Sequence, residues 1–403
     1  MPSRLPLPVT LLLAAALCLA PAAHWPGARW PNAGGPRAGA AWAQQADTPP
    51  ASEAPQAAAP GAPLVSPQTA PPAASPRPAQ GPQRAAGQAA RFPVQRLSFY
   101  PDAVGRPIEQ KVTVGGPEVL DRALETNLDY GQAIRPRNAD ADDPLLPELR
   151  ALLRDLPPAV HRLASRYVLA VYVLQDDYGT GTTEGIQDDQ GRWRYSYIAL
   201  NRTALTRTAN AWATWKENSA FRPQPGAALR VQIEPPESDT RAQAVQFILL
   251  HELGHAIGLG LGVHGFWDAE TLPAVTRDSP FVALSWQVDA DDALVSRYAT
   301  RFPLLVRARF YRFDKAPLEL SQAQDIYRDL SQTNLPSLYG ITNLFDDWAE
   351  SFAIYVHTRL LDKPYQVQVL QGDQVRATYQ SCLQVGTCPE KMAYLESVLG
   401  TGQ

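Results

Sequence analysis

The sequence predicts an α+β fold in two lobes, carried on a disordered tether: a small mixed sheet with one long active-site helix, then a mainly helical half. Three observations predict it. Separated β-branched and aromatic runs fill the first half, a long apolar helix pattern follows them, and the stretch ahead of both is mostly Ala, Pro, Gln and Gly.

The tether comes first. The chain has 403 residues and 38 prolines, unevenly spread. Residues 44–92 carry almost no large apolar side chains, so they cannot bury enough surface to offset their ordering entropy. They read as a disordered linker, and residues 93–403 as one folded domain with a substantial core. Upstream, Arg4 precedes an apolar run from Val9 to Ala20, too short to span a bilayer comfortably. Ala20-Pro21-Ala22 and Ala41-Trp42-Ala43 each suit a signal peptidase, so residues 1–43 read as an export signal cut near 22 or 43. A lipid anchor at Cys18 fits poorly behind the bulky Leu17. No second apolar segment of spanning length occurs, so the expected mature chain has no stable membrane span and is periplasmic or secreted.

Cysteine usage suits an oxidising compartment. Beyond the signal only Cys382 and Cys388 remain, with Gly386 between them, and they are expected to close a small disulfide loop. The other reading is a pair of buried thiols. Net charge is −4 with both signs interspersed and no long basic run, so nucleic acid and anionic membrane surfaces are not expected partners.

Within the folded part, Arg96 to Leu124 reads as loops and short strands. Pro147 to Asp155 and Pro158 to Ser165 read as short helices with Pro in the first turn. Tyr167 to Leu174 is a β-branched and aromatic run suited to a strand buried on both faces. Gln175 to Gly191 is rich in Asp, Gly and Thr and reads as turns. Trp193 to Leu200 and Leu229 to Ile233 read as further strands. Pro235-Pro236 then ends the strand region, and Ser238 or Asp239 is expected to cap a helix from Thr240 to about Leu259. Pro389 to Leu399 reads as a last helix. No internal repeats occur.

The long helix carries His251-Glu252-Leu253-Gly254-His255, an HExxH motif. Positions four apart on a helix differ by about 40° in azimuth and about 6 Å in height, so both imidazoles reach one ion. Zinc takes nitrogen ligands in tetrahedral geometry and keeps one position open in catalytic sites. Glu252, beside the first ligand, is placed to act as a general base on an activated water. Phe247 to Leu250 make this helix a buried one, where two histidines and a glutamate need a reason.

The motif and the strand–helix order resemble the two-lobed zincin layout, in which an edge strand beside the metal helix pairs with an extended peptide. Trp193 to Leu200 is the expected edge strand on that analogy. For the third ligand one candidate is His264. It comes nine residues after His255, where metzincins place theirs six after (here Leu261), and no methionine suits a metzincin turn. The stronger candidate lies in Ser337 to Phe352, which reads SLYGITNLFDDWAESF. This segment resembles the second catalytic segment of gluzincin peptidases of the anthrax lethal factor type. The resemblance implies a zinc-binding acid at Asp346, an acid at Glu350 that orients a ligating histidine, and an oxyanion-stabilising tyrosine at Tyr339. Where that family has Glu, this chain has the shorter Asp346; without a closer approach of its helix by roughly 1 Å, Glu350 would reach the metal instead. The aromatic residues around both acids mark a buried helix. His357 reads as a core or rim histidine, and His161 has no evident partner. Phe281 to Trp286 and Phe302 to Phe313 read as core or subsite lining.

These residues point to a metallohydrolase holding one Zn2+, expected to be a peptidase acting on a peptide or protein. The rival readings are a zinc-stabilised envelope scaffold or binding protein without catalysis, and a zinc hydrolase of a non-protein amide. Substrate identity and oligomeric state are not legible in the sequence.

Overall fold

Alternation of side chains across two buried faces organises the first half. In this computed structural model, which describes residues 89–269, 273–291 and 293–400, a five-stranded mixed sheet is built from β1 (Val112–Thr113), β2 (Arg137–Asn138), β3 (Val168–Gln175), β4 (Gly181–Gln187) and β5 (Trp193–Asn201). Strand order is β1-β3-β5-β4, with β2 pairing beside the end of β3. β1 and β5 run parallel to β3, whereas β2 and β4 pair antiparallel. Successive residues point to opposite faces. Val171, Val173, Ile198 and Leu200 therefore join the main core. Tyr172, Leu174, Tyr197 and Ala199 enter a smaller core that Val94 and Val119 close from the other side.

The sheet's edge is β4 rather than the expected Trp193 to Leu200, which is internal between β3 and β4. β4 lies within the stretch read as turns. Its sequence, Gly-Thr-Thr-Glu-Gly-Ile-Gln, looks like a loop because its polar side chains serve the site instead of a core. On its outer edge, among the described residues, the recorded pairing is a single bridge between Gln187 and Arg96.

Other differences are local. A helix, Pro117–Asp129, stands where loops and short strands were expected; its buried Val119, Ala123 and Thr126 recur at helical spacing. The two short helices occupy Leu145–Arg154 and Pro158–Tyr167. An unanticipated helix spans Ala209–Asn218. The third expected strand covers Ala227–Gln232 and pairs with Gln366–Gln371, which pairs in turn with Gln374–Gln380. The second half is thus less purely helical than predicted, combining this sheet with helices Ala323–Leu330, Leu344–Tyr355 and Pro389–Gly400. The domain begins before residue 93, since Ala90 and Arg91 already bond to Gln187 and Gln95. The expected signal and nearly all of the expected linker lie outside the described residues.

The long helix, hereafter the histidine helix, runs Arg241–Leu261. Its cap is Thr240, whose side chain accepts from Gln243 N. The expected cap Asp239 serves the neighbouring helix instead, accepting from Asn210 N (2.8 Å) and Thr208 Oγ1 (3.0 Å). Gly262 ends the helix at φ 71°, a left-handed conformation that glycine adopts without penalty. This is the described helix long and apolar enough to cross a bilayer, and 83% of its apolar window is buried within the fold.

Against it packs the acid helix, Leu344–Tyr355, buried along its whole length. The crossing is close because residue 254 is glycine: a Cβ there would lie 2.9 Å from Ala349 Cα. Trp348 spans the contact, donating its indole N–H to Gly254 O at 2.7 Å. Behind the acid helix, Asp347 pairs with Lys391, both side chains wholly buried, and accepts from Trp286 Nε1 at 3.0 Å. Cys382 and Cys388 are disulfide-bonded at the start of this C-terminal segment.

Gly254→Ala should destabilise the domain by about 1–3 kcal/mol through overpacking, although the same change at an open helical site would gain up to about 1 kcal/mol. Denaturant unfolding checks it; a stabilised variant would contradict the close crossing.

Candidate metal centre

Two neighbouring turns of the histidine helix present His251 and His255 to the acid helix, and their Nε2 atoms lie 3.1 Å apart. Asp346 Oδ1 stands 3.7 Å from His251 Nε2 and 3.6 Å from His255 Nε2. For ligands about 2.0–2.2 Å from a tetrahedral zinc, neighbouring donors should be about 3.3 Å apart. The donor set is therefore of the right kind and nearly the right size. Among the described residues these three side chains form the cluster that could hold a metal ion. Among the described residues Asp346 Oδ1 is buried without a hydrogen-bond partner, as an oxygen meant for a cation would be.

Why Oδ1 points there follows from local chemistry. Asn343 caps the acid helix, accepting from Phe345 N and Asp346 N at 2.9 Å each. Its amide also donates to Asp346 Oδ2 at 2.6 Å, and Thr342 Oγ1 donates to the same oxygen at 2.8 Å. With Oδ2 occupied, Oδ1 faces the imidazoles. The helix N-terminus adds its own preference for a carboxylate. Burial would raise the Asp346 pKa, but the facing imidazoles hold it below the ordinary value.

Glu350 sits on the other side of His251. Its Oε1 lies 3.1 Å from His251 Nδ1, while Lys216 Nζ donates to Oε1 at 2.8 Å and Ser337 Oγ to Oε2 at 2.6 Å. That placement sets a carboxylate oxygen against Nδ1, the arrangement that in metal sites favours a proton on Nδ1 and leaves Nε2 free for an ion. Glu350 is thus a support for His251, and Asp346 is the acid facing both Nε2 atoms. The close crossing at Gly254 brings the short side chain of Asp346 within reach of both histidines. Glu350 is held down to about 2, chiefly by Lys216 and His251 against its burial. Burial would lower the His251 pKa, yet contacts with Asp346 and Glu350 raise it to about 9.

His264 is not part of the cluster. It is buried edge-on to Phe345 with Nδ1 2.9 Å from Gly265 O, and burial lowers its pKa to about 3. His357 is a core histidine, 2.7 Å from Ile233 O and edge-on to Phe247. His161 does have a partner, Glu109, at 2.9 Å.

Glu252 points to β4. Thr183 Oγ1 donates to Glu252 Oε2 at 2.6 Å, and Gly181 leaves room for the side chain, since a Cβ there would lie 3.1 Å from Glu252 Cγ. Tyr339 is buried, its ring centroid 5.8 Å from that of His251. Burial, and then Asp346, push its pKa well above the ordinary value, which keeps the hydroxyl a donor. Beside the cluster opens a cavity of about 170 Å³ whose walls include His255, Asn343, Thr183, Trp193 and Phe266. Trp193 and Phe266 stack at 3.7 Å, and Arg122 and Glu184, also in the cavity wall, pair through two contacts of 3.0 and 3.1 Å.

Sequence reasoning missed Thr183, Asn343 and Lys216. A threonine in an unrecognised strand and a lysine in an unrecognised helix carry no signal of their own; the Asn343 cap was within reach of the helix-start rules. No family model, no curated protein and no solved structure matches this chain.

Asp346→Ala should abolish zinc binding, whereas Glu350→Gln should weaken it by roughly 10–100-fold. Isothermal titration distinguishes them, and equal losses would contradict the division of roles. A second expectation concerns the metal-free chain. Because the folded pKa of His251 is raised, its stabilisation is complete below about pH 6.5 and lost as pH rises through about 9. Unfolding free energy of chelator-treated protein should therefore fall over that window, and less so in His251→Ala.

Proposed function

We propose that the chain is an exported zinc-dependent peptidase of zincin-like, two-lobed architecture. The observation that carries this reading is the convergence of His251, His255 and Asp346 beside a buried glutamate and a cavity. The two histidines and Asp346 would hold the ion, with Glu350 behind His251. A bound zinc supplies Lewis acidity, lowering the pKa of water and polarising a carbonyl.

The remaining work belongs to the side chains. Glu252, oriented by Thr183, removes a proton from the attacking water and delivers it to the leaving amine. The Tyr339 hydroxyl donates to the oxyanion that develops on the scissile carbonyl. β4 is the edge strand and its Thr183 bonds Glu252, so an extended chain added along that edge would lie near the base, which favours a peptide over other amides. The disulfide and the N-terminal apolar run support export. A zinc-stabilised scaffold has no use for a buried base next to its ligand and normally supplies four protein ligands.

Glu252→Gln should abolish cleavage of peptide libraries by the zinc-loaded chain without changing zinc content. Tyr339→Phe should lower kcat by roughly 10²–10³-fold. A Glu252→Gln protein that still cleaves removes the base assignment, and a zinc-loaded wild type that cleaves no peptide favours the scaffold.

A further inference from the structure

Lys216 is an unusual residue for the place it occupies. It is buried on the helix Ala209–Asn218, distant in sequence from every residue of the metal centre. A buried ammonium is costly unless it is paired, and here its partner is Glu350, the carboxylate behind His251. Lys216 Nζ and His251 Nδ1 meet the same oxygen, Glu350 Oε1, at 2.8 and 3.1 Å. Ser337 holds the second oxygen at 2.6 Å, so the carboxylate has no freedom to rotate. The ammonium has a second contact. It lies 4.1 Å from the centroid of the Tyr339 ring, within cation–π range, and 5.5 Å from that of Trp212. One cation therefore touches the support of a metal ligand and the ring of the oxyanion donor.

We propose that Lys216 is a positioning residue, fixing Glu350 behind His251 and the ring of Tyr339 with a single buried ammonium, so that metal affinity and the oxyanion hydrogen bond both depend on it. The inference rests on the metallopeptidase reading for its consequence in catalysis, but its consequence for metal binding stands apart from any activity. Carboxylates hydrogen-bonded to ligating histidines fix ring orientation and raise donor strength, and their loss typically costs 10–100-fold in affinity. A group that acts through such a carboxylate must show its effect only while the carboxylate is present.

The test is a double-mutant cycle in the full chain, with zinc affinity measured by competition against a chelator. Lys216→Met in the native background should weaken zinc binding by roughly tenfold or more. In a Glu350→Gln background the same change should alter affinity less than about twofold, because the relay is already cut. Equal losses in both backgrounds, or no loss in the first, would overturn the proposal. If Lys216→Met alone does not fold, the charge-balanced double variant compared with Glu350→Gln still decides, since a further tenfold loss refutes the relay. At saturating zinc, Lys216→Met should also lower kcat with KM unchanged, through Tyr339, and Lys216→Arg should recover part of it; an unchanged kcat refutes the second contact. A wild type that binds zinc without cleaving peptides would remove the peptidase reading and leave the zinc cycle able to judge the relay, whereas a wild type that binds no zinc sinks both.

Discussion

The whole arrangement depends on how closely two buried helices cross. Gly254 and Ala349 present almost no side chain at the crossing point, so backbone approaches backbone, and the Trp348 indole fastens the contact to the Gly254 carbonyl. That approach brings Asp346 up to both Nε2 atoms despite its short side chain and puts Glu350 against the far nitrogen of His251. Nothing in the histidines and the acid alone guarantees this. A carboxylate one methylene longer on a helix set further back would present its oxygen at a comparable place. Here the same end is reached by shortening both the side chain and the gap.

Around that crossing the polar groups form a graded set of supports. Thr342 and Asn343 occupy one oxygen of Asp346, while Lys216 and Ser337 occupy Glu350. Thr183 reaches Glu252 from the sheet edge. Each buried carboxylate thus has donors of its own, and Glu350 shares one oxygen between Lys216 and His251, which is the condition under which burying it is tolerable. The supports come from strand β4, the helix Ala209–Asn218 and the turn before the acid helix, so the centre ties together segments remote in sequence.

How much of this the sequence revealed follows from which signals are local. HExxH is a local spacing rule, and so is the pair of acids four apart, so His251, Glu252, His255, Asp346 and Glu350 were all legible before any coordinates. Telling Asp346 from Glu350 required the distance between two helices, a tertiary quantity set by Gly254. The two-faced strand β3 was readable because its residues are apolar on both sides. β4 was not, because its polar side chains serve Glu252 and Arg122, and propensity sees only a loop. Trp193 to Leu200 was misplaced at the edge for the complementary reason: without β4 there was nothing to lie outside it. Lys216 was invisible because a single lysine near two tryptophans gives no sign of being buried.

The pairing of Asp347 with Lys391 has a temporal side. Asp347 sits in the first turn of the buried acid helix, next to the proposed metal-facing Asp346, and its countercharge comes from a helix 44 residues further along the chain. A nascent polypeptide that has emerged only as far as residue 355 would have to dock that helix with an uncompensated anion in its core. Burial of the acid helix is therefore tied to the C-terminal helix, and a chain cut short before Lys391 would carry the motif beside a buried acid that lacks its countercharge.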